Sequence, residues 1–261
     1  MRQFSFEDVS YQSRTKKTRN QRFLEQMDAV LPWEAFFLEL ESFYPKGSRG
    51  RPPVGLERML RIYFMQQWFG YSDPGMEDAL HDNISMRRFA RLDAGYAPDE
   101  TTLCKFRHWL EERSLTKRLL SISEKHLRSH GIMVREGSIV DATIISAPTS
   151  TKNRTGERDP EMQSTRKANK WHFGMKAHIG TDTEGYVHSV EVTAANVHDV
   201  TMMEQCLHGE EKEIYGDKGY ACRQRKERAE SQGVSWRVLR KAARGRKLTC
   251  DSARSLRWRH A

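Results

Sequence analysis

Hydrophobic residues recur at helical spacing in the first half of the chain and alternate with polar residues in parts of the second half. The clearest helical repeat lies in residues 54–69, where Leu56, Met59, Leu60 and Tyr63 fall at positions i, i+3, i+4 and i+7. This spacing places them on one face and predicts an amphipathic helix. Further helices are predicted at residues 21–30, 33–42, 84–92, 99–112 and 116–130, with a short one capped by Ser72 or Asp73.

The series of short helices joined by tight turns is compatible with a helix-turn-helix-like domain that reads DNA. If the helix that begins at Asp99 is the recognition helix, its contact face carries Lys105, Arg107 and His108. Most small helical domains bind no DNA, so a purely structural helical domain is the alternative.

The stretch S-I-V-D-A-T-I-I-S-A-P, residues 138–148, is rich in β-branched residues and is bounded by Gly137 and Pro148. This composition predicts a strand that is buried on both faces in the middle of a sheet. Asp141 lies inside it, and an ionised carboxylate there is costly unless it is paired. Two interpretations are open: a strand-end Asp held by backbone amides or an Arg, and a metal-binding carboxylate aimed into a cleft.

The residues after this strand predict a mixed α/β sheet. Residues 149–168 are polar and are predicted to form a long mobile loop. Residues 171–179 alternate, with Trp171 and Ile179 on one side and Lys176 and His178 on the other. The predicted order continues with a returning strand at 186–194, a helix at 196–207, a strand at 213–215, a helix at 221–232 and a strand at 234–239.

A second candidate carboxylate, Asp217, follows the predicted strand at 213–215. If this strand and the Asp141 strand are neighbours, both carboxylates can reach one divalent cation. Hard oxygen ligands suit Mg²⁺ or Mn²⁺. Two such ions can activate water or a 3′-hydroxyl for displacement at a phosphodiester.

Charge and cysteine usage narrow the class of protein. The formal net charge is +9 for 261 residues, and residues 221–261 carry the excess while residues 1–220 are nearly neutral. A basic segment favours a polyanionic partner such as nucleic acid, with a solvated tail as the alternative.

The four cysteines form no C-x-x-C pair, which indicates reduced thiols in a cytosol. No membrane-length apolar run and no secretory signal are recognised.

A zinc hydrolase is a rival interpretation of the histidines. Its ligands would come from His172, His178, His198 and Asp199. None of His172, His178 and His198 stands in an H-x-x-x-H or H-E-x-x-H spacing. Strand histidines of this kind are more often hydrogen-bonded scaffold or DNA-facing surface.

Several motifs together resemble the transposases of the IS5 insertion-sequence family. In the second half they are I-V-D-A-T-I-I, K-W-H-F-G-M-K-A-H-I-G-T-D, V-T-A-A-N-V-H-D and Y-G-D-K-G-Y; in the first half they are G-R-P-P-V and Y-A-P-D-E-T-T-L-C-K-F-R-H-W-L-E. The resemblance covers about residues 10–247. It implies a helical N-terminal DNA-binding domain and an RNase H-like domain with a DDE triad that binds two divalent metals. It also implies cleavage at element ends and transfer of the 3′-hydroxyl into target DNA.

Matched residue by residue, Asp141 resembles the first Asp of the triad and Asp217 the second. The family's third carboxylate is a Glu on a helix after the last strand, and this chain has none there. The acidic residues after Asp217 are Glu227, Glu230 and Asp251, of which the first two precede the last predicted strand.

We therefore expect three segments: a helical domain at 1–132, an incomplete RNase H-like domain at 133–247, and an atypical basic tail at 248–261. A shifted reading frame or premature end would explain the tail, and catalysis would be impaired. The alternative is a non-catalytic DNA-binding remnant that interferes with an intact transposase.

The resemblance also implies the partners and the setting. The expected partners are double-stranded DNA, as element ends and target, and further copies of the chain on that DNA; the expected location is the bacterial cytoplasm, on the nucleoid. Mg²⁺ or Mn²⁺ is the expected cofactor. The predicted DNA contacts are Lys105, Arg107, His108, Lys176, Lys218, Arg240 and Lys241.

Overall fold

The structure is a computed structural model, and it describes residues 16–45, 47, 52–93, 96–133, 136–148, 157–167 and 169–239. The chain divides into two compact units, Met1–His126 and Leu127–Ala261. Among the described residues, no helix combines the length and the apolar character needed to cross a membrane.

The first unit is helical, as the periodicity predicts. Side-chain oxygens of Thr18, Ser72, Asn83 and Asp99 accept hydrogen bonds from backbone amides at helix starts, which satisfies donors that lack a partner within the helix. The helices are α1 (Arg19–Val30), α2 (Trp33–Glu41), α3 (Leu56–Phe69), α4 (Asp73–Asp82), α5 (Ile84–Phe89), α6 (Glu100–Glu112) and α7 (Leu115–Ser129), the last ending beyond the division between units.

A buried arginine lies in the aromatic core of this unit. Arg61 on α3 is 1% exposed, and its guanidinium lies 4.2 Å from the centre of the Trp33 ring. It donates to Asp28 at 2.6 Å and to Glu57 at 3.1 Å. The negative charges of these two carboxylates offset the cost of burying the guanidinium charge. Both carboxylates are themselves partly exposed to solvent.

The second unit is built on a six-stranded mixed sheet of order β2-β3-β1-β5-β6, with β4 also paired to β3. β1 runs antiparallel to β3 and parallel to β5, and β5 runs parallel to β6. Without β2, the order β4-β3-β1-β5-β6 is the RNase H-like arrangement, which confirms the predicted fold class. The strands are β1 (Gly137–Ser146), β2 (Gln163–Lys167), β3 (Lys170–Asp182), β4 (Val187–Ala194), β5 (Glu213–Gly216) and β6 (Ser235–Val238).

Helical segments connect these strands on one side of the sheet. They are α8 (Asp199–Met202), the 3-10 turns Glu204–Cys206 and Lys218–Tyr220, and α9 (Arg223–Ser231). Val140, Ile214 and Val238 from the sheet and Met203 and Tyr220 from the connections form the core between them.

The predicted burial of the Asp141 strand on both faces is wrong for the second half of β1. Residues 137–140 are largely buried, but Asp141 and Ile145 are exposed. The pairing with β5 ends at Val140–Gly216, so beyond that point only β3 flanks the strand. The expected cost of burying the Asp141 carboxylate therefore does not arise.

The alternation of β3 is confirmed, but its polar side is the buried one. Lys176 and His178 lie in the interior, whereas Trp171 is 72% exposed. The connecting segments pack closely on this side: a Cβ on Gly180 would collide with the carbonyl oxygen of Cys206. The buried polar groups are tolerated because they find hydrogen-bond partners there.

The predicted loop at residues 149–168 is wrong for its last part. Gln163–Lys167 forms β2, which pairs antiparallel with the start of β3. Its side chains are mostly exposed and polar, and such residues are tolerated on a strand at the edge of a sheet. Residues 149–156 and 168 lie outside the described residues.

Candidate active site

Asp141 and Asp217 lie next to each other at the point where the pairing of two parallel strands, β1 and β5, ends. The register pairs Val140 of β1 with Gly216 of β5, and each Asp is the next residue along its strand. Adjacent strands are about 4.8 Å apart, so the two Asp backbones lie at about that separation. Both side chains are exposed. The structure therefore confirms that the Asp141 strand and the strand before Asp217 are neighbours, which is the condition for a site that uses both carboxylates.

Each of the two carboxylates accepts a hydrogen bond from the amide of the residue that follows it. Asp141 Oδ1 lies 2.7 Å from the nitrogen of Ala142, and Asp217 Oδ1 lies 2.6 Å from the nitrogen of Lys218. Asp217 thereby caps the 3-10 turn Lys218–Tyr220. Within the described residues neither carboxylate forms an ion pair, so their negative charge is available to a cation.

An ion pair between Lys176 of β3 and Asp199 lies on the side of the sheet that the connecting segments cover. The Lys176 ammonium donates to Asp199 Oδ1 at 2.8 Å and to the Val197 carbonyl at 2.7 Å. Lys176 is 8% exposed. A buried ammonium engaged by two acceptors is poorly placed for a phosphate contact, which disfavours the predicted DNA contact at Lys176.

Tyr220 joins the turn after Asp217 to the core. Its amide donates to the Asp217 carbonyl at 3.0 Å, and its ring is 1% exposed. Its pKa is raised, mainly by burial and then by the nearby carboxylates of Asp199, Asp141 and Asp217. The spacing of single residues did not predict these supporting roles of Asp199 and Tyr220, although both lie in the motifs V-T-A-A-N-V-H-D and Y-G-D-K-G-Y.

A third carboxylate does not join the two aspartates in the part of the chain that the structure describes. No group of three or more His, Cys, Asp or Glu side chains is arranged there to hold a metal ion. Glu227 pairs with Arg223 at 2.8 Å and Glu230 pairs with Lys226 at 3.5 Å, all on α9, which precedes β6. Asp251 lies outside the described residues.

The histidines are used as scaffold. His178 Nε2 lies 2.9 Å from Thr193 Oγ1, and burial lowers the pKa of His178. His172 Nδ1 lies 3.1 Å from Ser146 Oγ. These histidines and His198 form no metal-binding group with other described side chains, which disfavours the zinc hydrolase.

The other residues predicted to contact DNA differ in how exposed their side chains are and in whether they already have a partner. Lys105 and His108 are exposed on α6, and Lys218 is exposed beside Asp217. Arg107 donates to Asp73 at 2.9 Å, and this bond contributes most to lowering the pKa of Asp73. Arg107 is therefore partly committed to holding α6 against α4. Arg240 and Lys241 lie outside the described residues.

Comparison with known proteins gives two family matches. Residues 12–109 match the family described as Transposase domain (DUF772), and residues 133–259 match the family described as Transposase DDE domain. A solved structure described as "Crystal structure of the Mos1 Strand Transfer Complex" is similar at 15% identity, covering 81% of this chain and 67% of that chain with a TM-score of 0.22. The two family matches together span most of the chain, which therefore carries a transposase domain of each of these two families.

Proposed function

We propose that this chain is a DNA transposase of the IS5 type whose metal site is built on Asp141 and Asp217. The observation that carries the proposal is the position of these two residues side by side, where the pairing of two adjacent parallel strands of an RNase H-like sheet ends. Because no third carboxylate joins the two aspartates among the described residues, we further propose that the 261-residue chain binds DNA but cleaves and transfers strands poorly.

The donor set fits a hard divalent cation, Mg²⁺ or Mn²⁺. Carboxylate oxygens are its preferred protein ligands, and water fills the remaining positions. Asp141 and Asp217 present two exposed carboxylates at about one strand spacing, neither of them in an ion pair within the described residues. Such ions, when bound, activate the attacking water or 3′-hydroxyl and stabilise the leaving oxygen.

The chain's own residues hold the two aspartates in place. The sheet register fixes Asp141, and the capped turn that Tyr220 anchors in the core fixes Asp217. Two carboxylates can share one ion, but they cannot hold two ions at a fixed separation. Misplacement of a reacting group by about 1 Å costs on the order of 100-fold in rate.

The proposed partner is double-stranded DNA, as the ends of a mobile element and as its target, with several copies of the chain assembled on it. The exposed side chains of Lys105, His108 and Lys218 contribute phosphate contacts in this proposal. The proposed location is the bacterial nucleoid.

A second candidate function is DNA binding without catalysis, in which the chain competes with an intact transposase for element ends. The lack of a third metal ligand among the described residues favours it. Both functions include DNA binding, so cleavage is the property that separates them.

The metal site is tested by Mn²⁺ binding to the full chain, measured by electron paramagnetic resonance. Asp141→Asn and Asp217→Asn should each weaken Mn²⁺ binding at least tenfold, because each removes one of two anionic ligands. Asp159→Asn is the matched control, since Asp159 is exposed and also accepts a backbone hydrogen bond, from Glu161 at 2.9 Å. Unchanged affinity in both site variants would contradict the proposed site.

A further inference from the structure

A second concave site lies in the sheet unit, between the loop at residues 207–211 and helix α9. Its volume is about 390 Å³. Ile214 and Trp236 provide an apolar part of its wall, and His208, Arg225 and Arg228 provide basic groups. Neither Asp141 nor Asp217 lines it, so it is separate from the proposed metal site.

Two nitrogen donors in this cavity are buried without a partner in the described part of the chain, His208 Nε2 and Arg225 Nη1. The His208 side chain is 8% exposed, and its Nδ1 accepts a hydrogen bond from the amide of Glu210 at 3.1 Å. The proton of the neutral imidazole therefore lies on Nε2. Buried donors of this kind normally have an acceptor, so an acceptor is expected to enter the cavity.

The acidic residues of the wall leave the cavity with basic character. Glu211 accepts from the amides of His208 and Gly209, at 2.6 and 2.8 Å, and from Ser138 Oγ at 3.0 Å. Burial opposes the ionisation of Glu211, but hydrogen bonds from its own amide, the His208 amide and Ser138, together with the nearby His208 ring, outweigh it and lower its pKa. Its charge is thus balanced by its own donors and is not directed at the arginines.

The remaining acid, Glu204, lies at the rim and is 57% exposed. Its carboxylate lies 3.5 Å from Arg225 Nε and 3.8 Å from Arg228 Nη1, which is longer than a good charge-assisted hydrogen bond. One solvated carboxylate therefore lies near two guanidinium groups, of which Arg225 is the less exposed, and this part of the wall carries a net positive charge.

We propose that this cavity binds a phosphate group, with Arg225, Arg228 and His208 as its donors. A phosphate has several acceptor oxygens and at least one negative charge, so it can satisfy both buried donors and the unbalanced guanidinium charge together. The group comes either from the DNA backbone or from free phosphate. The DNA source rests on the proposed function, and the exposed Arg223 on the same helix suits it.

Inorganic phosphate is the first probe, with binding to the full chain measured by isothermal titration calorimetry. Arg225→Gln and His208→Gln should each weaken binding on the order of tenfold, because a hydrogen bond to the anion is lost. Glu204→Gln should strengthen it, because the competing carboxylate is gone. Arg223→Gln is the control, since that side chain is 91% exposed and lies outside the cavity wall.

Glu204→Gln changes only a solvated group at the rim, so this variant should fold. It tests the proposal even if Arg225→Gln does not fold. Phosphate binding that is absent from the wild-type chain, or that does not tighten in Glu204→Gln, overturns the proposal.

Duplex DNA is the second probe and distinguishes the sources. If the phosphate is a backbone phosphate, Arg225→Gln should reduce the slope of log K against log salt by about 0.9. A reduced slope together with phosphate binding supports the DNA source, and phosphate binding with an unchanged slope supports free phosphate. If the wild-type chain binds no DNA, the proposed function fails while the phosphate titration still decides the cavity.

Discussion

The Lys176–Asp199 pair gives the sharpest stability prediction, because it is buried beneath the proposed metal site. Lys176→Met removes the ammonium from a side chain that is 10% exposed and leaves the Asp199 carboxylate and the Val197 carbonyl without their donor. Breaking a buried pair costs about 3–5 kcal/mol. Asp199 is 35% exposed and can be partly rehydrated, so we expect a loss of about 2 kcal/mol.

Hydrogen exchange of the β3 backbone amides measures this loss within the sheet unit alone. An unfolding curve of the whole chain would combine the stabilities of the two units. Lys212→Met is the matched control, because Lys212 forms an ion pair of similar length, 2.7 Å, with Glu136, but both side chains are largely exposed. That variant should leave the exchange nearly unchanged. Equal losses in the two variants would refute the argument that burial makes the Lys176 pair important.

Three further outcomes are expected. Burial lowers the pKa of His178 from its ordinary value of 6.5, so the unfolded chain binds a proton more readily and the stability of the sheet unit should fall as pH drops below 6.5; hydrogen exchange in His178→Gln should show a weaker pH dependence. Gly180→Ala should destabilise the sheet unit by about 3 kcal/mol because its Cβ meets the Cys206 carbonyl, whereas Gly219→Ala in the same unit, whose Cβ would lie at an ordinary 3.7 Å from Asp199 Oδ2, should not. DNA affinity should decrease steeply with salt in an electrophoretic shift assay, because phosphate contacts release counterions, and a salt-independent affinity would count against those contacts.

Local patterns predicted the main elements. The helical repeat around Leu60 and the N-caps at Ser72 and Asp99 correspond to α3, α4 and α6. The predicted strand order left open whether the Asp141 and Asp217 strands are neighbours, and the pairing of β1 with β5 shows that they are.

Tertiary packing determines which side of β3 is buried and whether β2 forms, and local sequence patterns do not predict either. Alternation divides β3 into two sides, but it does not say which side the connecting helices cover, and here they cover the side of Lys176 and His178. Local patterns also did not reveal that Lys176 pairs with Asp199, since the two residues lie 23 positions apart in sequence. The strand β2 was missed because its polar residues resemble a loop and gain their order from pairing with β3.

The most direct test of the account is Mg²⁺-dependent nicking of supercoiled plasmid DNA by the 261-residue chain. Three proteins are compared: the unmodified chain, a chain in which residues 248–261 are replaced by the Glu-bearing helix of an IS5-family transposase, and the same replacement with Asp141→Asn. All three should bind DNA, and only the second should nick it efficiently, on the order of 100-fold faster than the unmodified chain. Efficient nicking by the unmodified chain that persists in its own Asp141→Asn and Asp217→Asn variants would contradict the central claim that these two carboxylates form the metal site.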